Sequence, residues 1–289
     1  VNASVASSDV KGQVATTLNK GAKLKAKNAV KLGSNSFSNS VADNTGINAG
    51  ALAMGATISL ADSNWKTQTI LADNQNIDAD NIALTAKANT KVQAENVAGS
   101  GGIIALTGSD GATSNDSQVI VKVGKNTQLN SDSLQVAAEQ DLNQNAFADS
   151  VSVSAGGFTG DGVSNTSNSK VAVEFDTNAK AYVNDVNVTA LNKFTKGDGG
   201  DNLTITGGGL LLSGMTPNSS TDLTNVTTVD FKSGSSIEAN KAKQKVASKP
   251  NYEMKINALN AVDAHDQIKV DAGGAVNVSG VKSNITDNS

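Results

Sequence analysis

The chain contains no cysteine and no arginine, only 2 prolines, and aromatic residues at just 3% of its length. Without cysteine there is no disulfide framework, and zinc sites built on thiolates are excluded. Without arginine the planar fork that grips carboxylate or phosphate in bidentate fashion is missing. All cationic charge is lysine, and the formal net charge is −4. Such a chain has no general attraction to phosphate backbones, so no nucleic-acid partner is expected. No stretch approaches the roughly 20 apolar residues of a membrane span. The opening "VNASVASSDVKG" has neither the basic n-region nor the apolar h-region of a signal peptide, so a secretion signal would lie outside this sequence.

What is present is small and aliphatic. Of 289 residues 38% are hydrophobic, yet 6 Phe, 2 Tyr and 1 Trp cannot fill a globular interior of that size. Val, Ala, Ile and Leu can fill a narrow one, so a thin, elongated core is expected.

Self-comparison reveals a period. The cassettes "AGALAMGA", "GGIIALTG", "SAGGFTG" and "GGGLLLSG" end on Gly55, Gly108, Gly160 and Gly214, and "AGGAVNVSG" ends on Gly280 after a longer gap. A second landmark, "IDADNIALTA", "LNSDSLQVAA" and "AYVNDVNVTA", recurs every 52 residues. It aligns Ile82, Leu134 and Val186 in one column, then Leu84, Val136 and Val188, then Ala86, Ala138 and Ala190; Val30 and Leu32 extend the first two columns upstream. The units run 1–48 (partial), 49–100, 101–153, 154–206, 207–271 (drifted, with an insertion expected around "KPNYEMK") and 272–289 (partial). Within each unit the alternation is period two, as in "VIVKV" and "KVAVEF", the mark of strands with one buried face. Clusters such as "SDGATSND" and "TGDGVSNTSNS" read as turns and outward loops.

A propeller blade of this length would need aromatic and turn signatures in each copy, which one Trp cannot supply. The expectation is therefore an all-β fold, a parallel β-helix (β-solenoid) forming a single elongated fragment of a longer array, with two or more coils in each repeat of about 52 residues. Two coils per repeat predict about 11 to 14 coils and a rod of roughly 50 to 70 Å. Aliphatic columns and Asn ladders are the trace expected of such stacking. In the glycine cassettes the missing Cβ permits a bend or bulge, and the enclosed Ile or Leu is expected to fill the lumen.

Several residues invite a chemical reading. "KGDGGDNLT" (196–204) matches the calcium nonapeptide except at Lys196, which would place Asp201 on Ca²⁺; Gly and Asp building a turn before a strand is the ordinary reading, and no metal is assigned. The single histidine, His265, lies between two aspartates, but no G-x-S-x-G elbow occurs. Asp78 with Asp80, and Asp161 or Asp198, could be paired carboxylates of a glycan-cleaving helix, although turn aspartates are the common case. Several sequons occur, including those that begin at Asn115, Asn165, Asn202, Asn218 and Asn284. Trp65 reads as an aromatic covering a strand face, with a sugar or partner contact as the alternative. No catalytic residue, cofactor or metal ligand is assigned, and the chain is read as non-enzymatic.

The "GGIIALTG" and "SAGGFTG" cassettes, with the strands "SNTSNSKVAVEF" and "AKAYVNDVNVTA", resemble the repetitive exoproteins of the filamentous haemagglutinin type, most nearly the fusobacterial leukotoxin-like filamentous adhesins. The resemblance covers residues 20 to 214 and continues more weakly beyond. It implies a secreted or cell-surface bacterial protein exported through an outer-membrane partner transporter and folded into a right-handed β-helix. This chain would be shaft, presenting an adhesive or leukotoxin-like protein to an unidentified host-cell or matrix receptor. A glycan-binding or glycan-cleaving β-helix is the alternative.

Overall fold

In the computed structural model, which describes residues 1–197, 202–239 and 253–288, the chain is all-β with no helix among the described residues. Every strand pair is parallel, and the strands form a 14-stranded and a 5-stranded sheet.

The strands fall into successive levels. The first is β1 (Asn2–Leu18) and β2 (Lys23–Lys25); the second is β3 (Ala29–Ala49), β4 (Leu52–Leu71) and β5 (Asn76–Asp78). The third is β6 (Asn81–Asn115), β7 (Gln118–Val123) and β8 (Gln128–Asn130), and the fourth β9 (Ser133–Ser167), β10 (Lys170–Phe175) and β11 (Lys180–Val183). The fifth is β12 (Asp185–Lys196), β13 (Leu203–Leu223), β14 (Val226–Phe231) and β15 (Ser236–Ala239). The last is β16 (Met254–Ala264), β17 (Ile268–Gly273), β18 (Val276–Ser279) and β19 (Lys282–Asp287).

The pairing register settles how far apart neighbouring strands lie in sequence. Ile82 pairs with Leu134 and Leu134 with Val186, each partner 52 residues on. Residues one period apart are thus adjacent hydrogen-bonded neighbours, with no strand between them. This corrects the expectation of two coils per repeat: a parallel ladder has one spacing of about 4.8 Å between partners, so six levels rise about 25 to 30 Å, half the length expected.

Later offsets show where residues are added. β9 pairs with β12 at 52, but with β13 at 55 and then 56 after an irregularity between Gly209 and Leu212. Lys170 pairs with Val226, 56 on, whereas Val186 pairs with Met254, 68 on. The extra length falls between Ala239 and Met254; the "KPNY" of the expected insertion lies outside the described residues.

Each level is a flattened loop. β3 runs outward and β4 returns against it: Ser34 shares a hydrogen bond with Thr69 (2.9 Å), Ser38 with Ser63 (3.0 Å), and Asn44 Nδ2 donates to the Ile58 carbonyl (3.0 Å). Asn48 Nδ2 closes the series on the Met54 carbonyl (2.5 Å). From Ser34 to Asn48 the arm extends about 45 Å at ~3.3 Å per residue. The loop is therefore wider than the stack is tall.

At the wide end β5, β8 and β11 add a third side, and there the aliphatic core sits. Leu71, Val123 and Phe175 stack in one column, Ile77, Leu129 and Ala181 in another, facing the buried columns headed by Ile82, Leu84 and Ala86. Phe175 and Phe231 continue the stack with rings 4.8 Å apart. At this corner Asn74, Asn126 and Asn178 all adopt left-handed φ (62°, 53° and 58°). Their amides form a ladder, Asn126 Nδ2 donating to Asn74 Oδ1 (3.2 Å) and Asn178 Nδ2 to Asn126 Oδ1 (3.3 Å). Asparagine tolerates this conformation better than other side chains, and stacking satisfies its amide.

Between the arms the interior is mostly small and polar, so two passages read as loops are strand. "SDGATSND" lies almost wholly in β6 and most of "TGDGVSNTSNS" in β9, with Ser109, Thr113, Asn115, Asn165 and Ser167 buried. Closely spaced arms leave room for Ser, Thr, Asn and Gln that bond across the gap, as Gln144 Nε2 does to Thr113 Oγ1 (3.0 Å).

Candidate functional site

The narrow end of each level, where the outgoing arm turns back, is built from the glycine cassettes. The arms nearly touch there: Ser100 and Thr107 share a hydrogen bond across the gap, and Ala53, Ala105 and Gly157 form the inner column. A β-carbon on Gly102 would fall on the Gly50 carbonyl of the adjoining level, so the bend requires glycine.

The enclosed aliphatics do not fill a lumen, and this corrects the expectation. Leu210 is 81% exposed, Ile47 76%, Val153 68% and Ile103 64%. With the arms in contact no space remains inside, and runs such as Ile103–Ile104 and Leu210–Leu212 break period-two alternation, so their members cannot all face inward. Those runs were the available sequence signal.

Nor do the cassette glycines form one column. Gly108 pairs with Gly160, but Gly55 pairs with Thr107 and Gly214 with Phe158. Beside the edge Met54, Leu106, Phe158 and Val278 make an apolar ridge along the stack, next to a trough floored by Gly108 and Gly160; together they bound a groove of about 880 Å³. A second groove of about 650 Å³ lies at the apex beside Ile103, Val153 and Leu210. The cassette segments contain no charged side chain over residues 45–60, 97–109, 150–160, 202–221 and 272–281.

The carboxylates nearest this edge are held toward their neutral forms. Asp161 faces into the gap between the arms at 3% exposure and accepts a hydrogen bond from Ser150 Oγ (2.5 Å). Loss of hydration pushes its pKa up to about 7, with the nearby charges of Asp110 and Asp149 adding to the effect and the Ser150 bond opposing it. Burial also raises Asp110 and Asp149.

The other singled-out residues are dispersed. Asp78 and Asp80 lie at the wide end, across the loop from Asp161, so these carboxylates do not converge. Asp198 and Asp201 lie outside the described residues. Lys196, first in the calcium-like stretch, is wholly buried, donates to Thr221 Oγ1 (2.6 Å) and pairs with Asp266. Burial lowers the lysine pKa, and the lysine holds the Asp266 carboxyl below its usual range against the opposing effect of burial. His265 is half-exposed, its Nδ1 3.9 Å from Asp263 Oδ1. Trp65 turns inward, its indole lying in the space left by the missing side chain of Gly12, its partner in the first level. Among the sequons Asn115, Asn165 and Asn202 are buried, while Asn218 and Asn284 are exposed. No cluster of three or more metal-ligating side chains occurs among the described residues.

Compared with protein-family models, curated proteins and solved structures, the chain matches none.

Proposed function

We propose that this chain is a parallel β-solenoid, one coil per 52-residue repeat, serving as a non-catalytic structural and adhesive shaft. In this reading it belongs to a secreted or cell-surface bacterial protein of the filamentous haemagglutinin type. An outer-membrane partner transporter exports the parent protein, and the shaft's faces meet a host-cell or matrix surface.

The observation that carries the reading is the register. Ile82, Leu134 and Val186 at the wide end, and Leu106 and Phe158 near the narrow end, are stacked by ladders advancing by the same 52 residues. When every side of a loop advances together, each level is a template for the next and the stack grows along one axis. Such a body resists bending and separates its ends without any globular core. The absence of cysteine suits passage through a transporter and folding outside the cell.

Electron microscopy of the parent protein tests this. A rod is expected whose length increases by about 4.8 Å for each repeat of this kind; a compact particle overturns the reading. Beads coated with the chain should also be retained on host-cell monolayers or matrix above the level of beads coated with an unrelated protein.

A further inference from the structure

We propose that the narrow edge of the stack docks on a lipid bilayer, its exposed aliphatic side chains entering the headgroup and upper acyl region with the arms standing away from the surface. This goes beyond the shaft reading and does not require it.

Three observations meet at this edge. First, large aliphatic side chains protrude at successive levels, including Ile47, Leu52, Ile103, Val153, Leu210 and Val276, all more than half exposed. Scattered apolar residues need no explanation, but a contiguous stripe marks an interaction surface. Second, the edge carries no charge at any of five levels, whereas the flanks of the same arms are laced with pairs such as Lys87–Glu139 (2.7 Å) and Lys193–Asp141 (3.6 Å). A partner recognised through ion pairs has nothing to hold here. Third, the bend's backbone is paired between the second and third levels: Gly50 N–H donates to the Gly101 carbonyl (3.0 Å), and Ile103 and Ile104 N–H both to the Ala51 carbonyl (3.1 Å). Backbone polar groups without partners are what keep irregular segments out of hydrocarbon, and at this pair of levels the bend's N–H groups have partners.

Shape favours lipid over a second copy. The edge is a narrow strip, about 24 Å long for five levels and about 10 Å across two packed sheets. Edge-on contact between two copies would bury about 240 Å² on each, well short of the roughly 800 Å² per partner of a stable interface. A bilayer demands no complementary surface and accepts side chains from a narrow edge individually.

The test uses the whole chain and vesicles of phosphatidylcholine alone, because an uncharged edge needs no anionic lipid. Flotation should carry the protein with the vesicles, with less than about twofold change between 0.05 and 0.5 M salt. The variant Ile103→Asp/Val153→Asp/Leu210→Asp should float at least tenfold less while keeping the parental circular dichroism and melting temperature. The chain lacks cysteine, so Leu210→Cys and, on the charged flank, Lys193→Cys each accept a single polarity-sensitive dye; the first should shift to the blue on adding vesicles and the second should not. Failure to float, or an equal shift at both positions, overturns the proposal. So does a dimer in sedimentation that the triple variant abolishes and that does not float. These results leave the rod-length measurement untouched, so the two readings fail separately.

Discussion

Replacing Asp161 with Asn should make the protein more stable at neutral and alkaline pH. Asp161 lies between the arms just inside the narrow edge, where one oxygen accepts the Ser150 hydroxyl and Oδ1 has no partner among the described residues. Its carboxyl is pushed from an ordinary 3.8 up to about 7. Each unit corresponds to about 1.4 kcal/mol, so the ionised form costs the fold roughly 4 kcal/mol at most. Because the folded state holds this proton more tightly than the unfolded chain, the contribution to stability is complete below about pH 4. It declines as pH rises toward 7 and is absent above. Between pH 5 and pH 8 the wild-type protein should therefore lose about 2.5 kcal/mol through this group alone. Asn has the same shape, carries no charge, and can receive or donate at Ser150, so the variant should show a flatter profile and a gain of a few kcal/mol at pH 8. Urea unfolding of both proteins at half-unit steps from pH 5 to pH 8 reads the difference. Parallel profiles, or a variant less stable at pH 8, would refute the buried placement of this carboxylate.

Other perturbations probe the remaining parts of the loop. Leu134→Ala, in the fully buried column between Ile82 and Val186, should cost about 3 kcal/mol in urea unfolding, against less than about 0.5 kcal/mol for Leu210→Ala on the exposed edge. Asn126→Ala should cost about 2 kcal/mol, since Ala at a φ of 53° is strained and both ladder bonds are lost; Asn126→Gly should cost less than half as much by the same assay. Expressed through a eukaryotic secretory pathway, the chain should carry glycans at Asn218 and Asn284, and peptide mapping should find Asn115, Asn165 and Asn202 bare; a glycan on Asn165 would contradict its burial at 0% exposure.

The strand content and the aliphatic columns were legible because they obey simple rules. Ile82, Leu134 and Val186 recur at one spacing in period-two segments, and the backbone pairs them directly. Three things were not legible. The number of coils per repeat depends on whether a strand intervenes between residues one period apart, and periodicity is identical in either case. The polar passages misled because loops and narrow interiors draw on the same residues: an asparagine in a turn and Asn165, buried between the arms and accepting a hydrogen bond from Thr113 Oγ1 (2.6 Å), read alike. The edge failed for the complementary reason, since aliphatics near glycine were assumed to face inward.

The misreadings of the polar passages and of the edge have one physical origin, which ties stability to surface chemistry. A loop flattened until its arms exchange hydrogen bonds has little interior volume away from its wide end, so that end must hold the large side chains. Leu71, Val123 and Phe175 meet Leu84, Val136 and Val188 there, and the left-handed asparagine corner fixes the register. Toward the narrow end the interior shrinks to Ala53, Ala105 and Gly157, and aliphatics as large as Ile103 and Leu210 can only face out. The wide end can therefore sustain the fold while residues on the narrow edge change, because truncating Leu210 removes no interior contact and truncating Leu134 removes many. A variant series along the edge should accordingly alter surface association with little change in melting temperature, and a series along the Leu134 column should do the reverse. Coupled losses of both properties in either series would show that the two ends of the loop are not energetically separate.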